Sequence, residues 1–377
     1  MTERGDNFCY NAFTGLDVNQ RGSLRPCCKF DLQSMPAFNI SDGIENYTNS
    51  KFVKRLQKQF LDNKRPDGCS RCWDDEDAGL ESKRQIDYNN NKAYLDALEL
   101  DKDGYSIVGI AFNNLCNLAC RICGPWASST WVAEERKGAI LNWSSNEQTF
   151  VDLYENTKDA KLLEIVGGEP FLKNFEEHKE YLKLFVESGQ AKDTHIHYVT
   201  NGTIYPDETF TNLWKEFEHV DITLSIDDTG KRFEYNRYPA NWEEVYSNIK
   251  QFQKLSSEEQ NIEISLSFTV SAFTIYYAGD FVEWCKAEGL PQPWFGVVSL
   301  RDYYHPSVHN DTIKQKIEDK LMLSDNVEVH KLKDFLYKDK SAMDIFNNGD
   351  SLFKGYIDRL DKKRGQLFSE TFPELVA

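Results

Sequence analysis

The chain has 377 residues, long enough for one large α/β domain with an appendage or for two domains, each with a sizeable core. Its 61 acidic against 44 basic residues give a formal charge of -17, which repels phosphate backbones and argues against nucleic acid as a partner. The 24 Phe, 18 Tyr and 8 Trp need a core or a ligand cavity around them, which argues against disorder. No stretch of about 18 apolar residues occurs and "MTERGDNFCY" lacks a signal-peptide pattern, so no membrane partner and a cytoplasmic location are expected. In a reducing compartment nine cysteines point to metal ligation or catalysis before disulfides, and eight of them precede residue 124.

Residues 1–100 are cysteine-rich and read as irregular apart from one helix, "SKFVKRLQKQFLDN". In it Phe52, Val53, Leu56 and Phe60 form an apolar stripe and Ser50 supplies the cap. "NNNKAY" and "NNGDS" read as loops. From about residue 101 to 300 six apolar runs, "SIVGIAF", "KLLEIVG", "HIHYVT", "VDITLSI", "IEISLSFTV" and "WFGVVSL", read as strands. They alternate with helix-like stretches such as "NFEEHKEYLKLFVESG", "DETFTNLWKEFEH", "NWEEVYSNIKQFQKL" and "AGDFVEWCKAEG". Strands separated by helices predict a parallel sheet, and right-handed crossovers predict a partial (β/α)6 TIM-like barrel whose active edge follows the strand ends. Residues 301–377 predict a helical C-terminal extension.

Directly after the first of these strands, "CNLACRIC" places Cys116, Cys120 and Cys123 within eight residues as C-x3-C-x2-C. Three thiolates on one tight loop suit three corners of a [4Fe-4S] cluster and leave the fourth iron open; zinc or buried thiols are the alternative. The loop resembles that of the radical S-adenosylmethionine (AdoMet) superfamily. That resemblance implies that the open iron binds AdoMet, which is cleaved reductively to a 5'-deoxyadenosyl radical, the electron coming from a reduced flavodoxin or ferredoxin-type donor.

The motifs after the next strands carry the same resemblance. "VGGEP" resembles the GGE motif, which implies that Gly167, Gly168 and Glu169 receive the AdoMet ammonium; glycine lets backbone approach a ligand. "TNGT", with Thr200 and Asn201, resembles the segment bordering the nucleoside. "LSIDDTGKRFEYNR" resembles a strand end and downstream arginine that imply that Ser225 and Arg237 hold the AdoMet carboxylate, with Asp227 also in the cofactor site, although Asp228 stands where the family usually has glycine.

A second cysteine group runs C-x12-G-x4-C from Cys9 through Gly22 to Cys27, followed by the pair Cys69 and Cys72. It resembles the SPASM or twitch module, with a glycine-turn hairpin, and implies an auxiliary [4Fe-4S] cluster on Cys9, Cys27, Cys69 and Cys72. The module commonly follows the barrel, whereas here it precedes it. A structural zinc on the same four thiols is the alternative, and Cys28 competes with Cys27. Cys285, sharing a helical face with Phe281 and Trp284, reads as core. His195 and His197 read as structural, and "YYHPSVH" at Tyr303 to His309 as a candidate wall of a substrate entrance.

The resemblance implies an oxidoreductase or modifying enzyme acting on a peptide or protein residue. The competing expectations are small-molecule chemistry on a sugar alcohol or nucleotide, and a non-catalytic zinc module.

Overall fold

The computed structural model describes residues 5–77, 81–97, 104–172, 176–298, 302–337 and 349–376. The side chains of residues 90, 93 and 349–351 are not described. The expected boundaries at 100–101 and 300–301 lie outside the described residues, as does the start of "NNGDS".

Eight strands are present: β1 (Gly15–Val18), β2 (Leu24–Arg25), β3 (Ile107–Ile110), β4 (Leu162–Ile165), β5 (His195–Thr200), β6 (His219–Ser225), β7 (Ile262–Val270) and β8 (Trp294–Val297). Their order in the sheet is β2-β1-β3-β4-β5-β6-β7-β8. The pairs β1 with β3, β3 with β4, β4 with β5 and β7 with β8 are parallel, and β1 with β2 is antiparallel. From β3 onward strand order equals chain order with helices between, an order compatible with the expected partial barrel.

The strand ends follow from burial. All of β3 is buried, as a strand covered on both faces must be, whereas β5 and β7 bury alternate residues. The helices Glu176–Glu187, Glu208–Trp214, Trp242–Glu258 and Ala278–Ala287 fall where the amphipathic stretches are, and in the second and third Asp207 and Asn241 accept hydrogen bonds from first-turn amides. Helix Lys51–Leu61 has the expected cap, Ser50 accepting from the Val53 amide, and buries Phe52, Val53, Leu56 and Phe60. The C-terminal region is helical, with helices Asp311–Leu321 and Gly349–Arg364 the longest among its described residues.

Two expectations are corrected. The N-terminal region is not irregular: its Gly15–Val18 strand pairs in register with Ile107–Ile110, extending the parallel sheet beyond six strands. "NNNKAY" is not a loop but lies in helix Lys83–Ala97; the asparagine run registers only as a break at Asn91, with φ -120° and ψ 19°. Flanking contacts hold the helix, including buried Leu95 packed with Tyr10 and Ile107.

Two compact units divide the chain, one comprising Met1–Leu115, Ala139–Tyr198 and Asp207–Val220, the other Cys116–Gly138, Val199–Pro206 and Asp221–Ala377. Neither unit begins or ends at residue 100 or 300.

Candidate active site

In the second unit the cysteine loop leaves β3 and enters helix Ser129–Glu135. Neighbouring side chains and backbone bond several of its amides and carbonyls. Ser129 and Thr130 hydroxyls donate to the Cys116 carbonyl at 3.2 and 2.6 Å, the Ser128 hydroxyl to the Leu118 carbonyl at 2.5 Å, and the Trp131 indole to the Cys120 carbonyl at 2.9 Å. The Ala119 and Arg121 amides donate to the Tyr238 and Asn236 carbonyls at 2.6 and 2.8 Å. A loop without helix or strand is thereby fixed by capping hydroxyls and long-range amides, which hold its three cysteines in place. Cys120 is buried, and Cys116 and Cys123 are half-buried.

The "TNGT" segment is bonded to this loop. Asn201 Nδ2 donates to Asn117 Oδ1 at 3.0 Å and lies 3.8 Å from Cys116 Sγ, while Asn117 Nδ2 donates to Thr203 Oγ1 at 2.9 Å. The Thr200 hydroxyl accepts from the Gly202 amide at 3.2 Å, and Gly202 takes the left-handed φ of +74° that the turn requires. Arg237 and Asp227, both buried, form an ion pair at 2.9 Å, and Asp227 Oδ1 accepts from the Thr269 amide at 2.9 Å. Burial works against the Arg237 charge, but Asp227 and then the Cys120 and Cys123 thiols hold its pKa above the usual range. Burial pushes the Cys120 thiol up to about 12, with Arg237 the leading opposing influence. Arg237 therefore pairs with Asp227 and lies within electrostatic reach of the thiols, a position suited to stabilising thiolates that bind iron. Ser225 ends β6 half-buried.

Asp228 occupies the glycine position without a left-handed backbone. Its carboxylate takes two hydrogen bonds from Arg232, at 2.6 and 2.9 Å, and one from the Thr229 amide at 2.7 Å. Burial raises its pKa to about 6 against those partners. The departure from the motif thus creates a buried ion pair rather than a strained turn.

In the first unit, Gly167 and Gly168 follow β4 with φ of +83° and +57°. A Cβ on Gly167 would lie 2.5 Å from the Ala111 Cβ, and one on Gly168 would collide with the Leu115 carbonyl oxygen. Both glycines are required by conformation and by space. Glu169 is 1% exposed; its amide donates to the Leu115 carbonyl at 2.7 Å and its Oε1 accepts from the Phe171 amide at 3.2 Å.

The same unit holds the second cysteine group. Cys9, Cys27, Cys69 and Cys72 line one small cleft, together with Asn11, Lys83 and Arg84. The hairpin β1–β2 turns through Gly22 at φ +73°, and helix Ser70–Asp77 delivers Cys72. A bond from the Asp31 amide to the Gly68 carbonyl, 2.9 Å, ties the Cys27 segment to the Cys69 segment. Phe30 packs on Phe52 and Phe60 on Trp73, giving the cleft an apolar shell. Burial, then the charge of Cys72, pushes the Cys9 thiol up to about 12; burial, then Cys9 and Cys72, raises Cys69. Cys27 is raised by burial, then by Cys28, Cys9 and Cys69, so these thiols lie within electrostatic reach of one another. Cys28 does not line the cleft. Burial pushes it up to about 12, with Lys83 opposing and Glu164, Asp17 and Arg25 as its other charged neighbours. Among the described residues no three His, Cys, Asp or Glu side chains are grouped to hold a single metal ion.

The remaining candidates have structural partners. His197 Nδ1 lies 3.9 Å from Glu164, which pairs with Lys83 at 2.7 Å; His195 lies 3.3 Å from Glu218. His305 bonds Ser307 at 2.8 Å, His309 the Ala272 carbonyl at 2.8 Å, and Cys285 is buried on its helix. Motif reading passed over Lys83, whose only sequence signal is a cation opening a helix after a cysteine pair.

Residues 110–270, less than half of the chain, match the family profile described as "Radical SAM superfamily". None of the curated proteins compared matches the chain. Among solved structures, anSMEcpe with bound AdoMet is 16% identical, with a TM-score of 0.42 over 58% of this chain and 57% of that one. SuiB of Streptococcus suis bound to precursor peptide SuiA is 11% identical, with a TM-score of 0.38 over 97% of this chain and 74% of that one. The chain spans under three fifths of the length of the anSMEcpe structures it matches. Cys116, Cys120, Cys123, the GGEP and TNGT motifs and Arg237 all fall within a segment that matches the Radical SAM superfamily.

Proposed function

We propose that the chain is a radical AdoMet enzyme. The observation that carries this reading is the loop bearing Cys116, Cys120 and Cys123, whose Cys116, Leu118 and Cys120 carbonyls are held by Ser128, Ser129, Thr130 and Trp131. Such a loop fits a [4Fe-4S] cluster with one iron open. When bound, that cluster and AdoMet supply a 5'-deoxyadenosyl radical able to take hydrogen from an unactivated carbon. By the resemblance, Gly167, Gly168 and Glu169 would receive the AdoMet ammonium, Thr200 and Asn201 would border the nucleoside, and Ser225 and Arg237 would hold its carboxylate, with Asp227 pairing Arg237. Arg237 also supplies positive charge beside Cys120 and Cys123.

Cys9, Cys27, Cys69 and Cys72 would hold an auxiliary [4Fe-4S] cluster, which supplies an acceptor for one electron from a product radical. The lining of one cleft by all four thiols supports a shared group. Lys83 and Arg84 at the cleft offset the negative charge that four thiolates bring. The fourth ligand in this proposal is Cys27, which lines the cleft, rather than Cys28.

The proposed substrate is a peptide or protein residue, on the resemblance of the cysteine pattern to SPASM and twitch modules, with a flavodoxin or ferredoxin-type donor. Incubating the reduced protein with AdoMet and deuterated peptide or metabolite pools tests this. Deuterium in deoxyadenosine from the peptide pool supports the proposal; deuterium only from metabolites overturns the substrate class.

A further inference from the structure

The first of the two residues between the second and third cysteines of "CNLACRIC" is Arg121, and its side chain is fully buried. Its Nη2 lies 2.5 Å from Asp361 Oδ1 and 2.9 Å from Gln366 Oε1, and its Nε donates to the Tyr235 carbonyl at 3.1 Å. The guanidinium sits 3.6 Å from the centre of the Tyr235 ring, whose hydroxyl donates to the same Asp361 oxygen at 2.8 Å. Asp361 Oδ2 accepts from the Phe368 amide at 2.7 Å, so both carboxylate oxygens are used.

Asp361 belongs to helix Gly349–Arg364, some 240 residues downstream of the loop. The same helix grips the loop twice more. Arg364, also buried, donates from Nη2 to the Ala119 carbonyl and to Glu134 Oε2, both at 2.8 Å, and stacks near Trp131 and Tyr238 at 4.8 and 4.7 Å. Leu360 packs with Ala119 and Trp131 in one buried cluster that Cys123 flanks.

A buried ion pair is a costly way to fill space, since apolar residues of similar volume serve stability as well or better. What such a pair provides is one geometry, because a displaced Arg121 would leave two charges unpaired in a dry interior. Resting on the reading of Cys116, Cys120 and Cys123 as cluster ligands, we propose that the C-terminal helix is a positioning element of the AdoMet cluster. Asp361 and Arg364 lock the Ala119–Cys123 backbone, and with it the direction of the Cys120 and Cys123 thiols.

The test uses full-length protein, reconstituted anaerobically, with iron and sulfide analysis, thermal unfolding, and the electron paramagnetic resonance spectrum of the reduced protein with and without AdoMet. Cys120→Ala comes first: it should remove about four irons per chain and abolish the AdoMet-induced spectral change, and if it does neither, the ligand reading itself fails. Given that loss, Asp361→Asn should also lose the AdoMet response and about four irons while the auxiliary iron stays. Gln366→Ala, which removes one half-buried partner of Arg121 and should fold, is expected to keep its iron and weaken AdoMet binding about three- to tenfold. Wild-type iron, spectrum and AdoMet affinity in Gln366→Ala and in any folded Asp361→Asn, with only a lower unfolding temperature, would overturn the positioning role.

Discussion

Replacing Gly168 by alanine isolates the backbone geometry on which AdoMet binding is proposed to depend. Gly168 has φ +57°, and an added Cβ would collide with the Leu115 carbonyl oxygen and lie 3.0 and 3.1 Å from the Leu115 carbonyl carbon and amide nitrogen. Holding alanine in the left-handed region costs about 1–2 kcal/mol. Moving Leu115 away disturbs the bond from the Glu169 amide to its carbonyl, 2.7 Å, worth about 1 kcal/mol. The expected loss is about 2–3 kcal/mol, or about 30- to 150-fold in the folding equilibrium. Gly189 is the control: its φ is +78°, but no atom lies within 4 Å of an added Cβ, so Gly189→Ala should cost the conformational part alone. Urea unfolding of both variants, with AdoMet affinity measured by equilibrium dialysis, separates the effects. Gly168→Ala should also weaken AdoMet binding by about tenfold or more, because Glu169 is displaced. Equal stability losses in the two variants, with unchanged AdoMet affinity in Gly168→Ala, would refute the reasoning.

Cys27→Ala should remove about four irons per chain and Cys28→Ala none, read by iron analysis; the reverse result would exchange their roles. Ser50→Ala should lower stability by about 1 kcal/mol through loss of the Val53 amide cap, seen as a lower urea midpoint at constant slope. Asp228 has a folded pKa raised by burial to about 6 from 3.8, so the folded state binds its proton more tightly and the stability it contributes fades as pH rises between those values. Relative to Asp228→Asn, the wild type should lose up to about 3 kcal/mol between pH 4 and pH 6; identical pH profiles would show that Asp228 does not titrate there.

The alternating segments were readable because their burial matches their period. "HIHYVT" and "IEISLSFTV" coincide with β5 and β7 to the residue, and Ser50 caps its helix as its position implied. The cysteine motifs were readable because thiol spacing along one loop is a local property. Gly15–Val18 was not, since four residues with a central Leu-Asp pair carry no periodicity and become a strand only by pairing with β3. The "NNNKAY" helix was hidden for the opposite reason: asparagine propensity argues against a helix that Leu95 anchors by packing. The choice between Cys27 and Cys28 depends on which way adjacent side chains face, which spacing alone leaves open. The pairing of Arg121 with Asp361 joins residues 240 apart, and no pattern within one sequence signals it.

The most direct test of the central claim is release of 5'-deoxyadenosine from AdoMet by the reduced, anaerobically reconstituted chain, compared with its Cys120→Ala variant. The account predicts release by the wild type and none by the variant while its auxiliary iron remains. Release by the variant at the wild-type rate, or none from a wild type carrying its full iron, would contradict it.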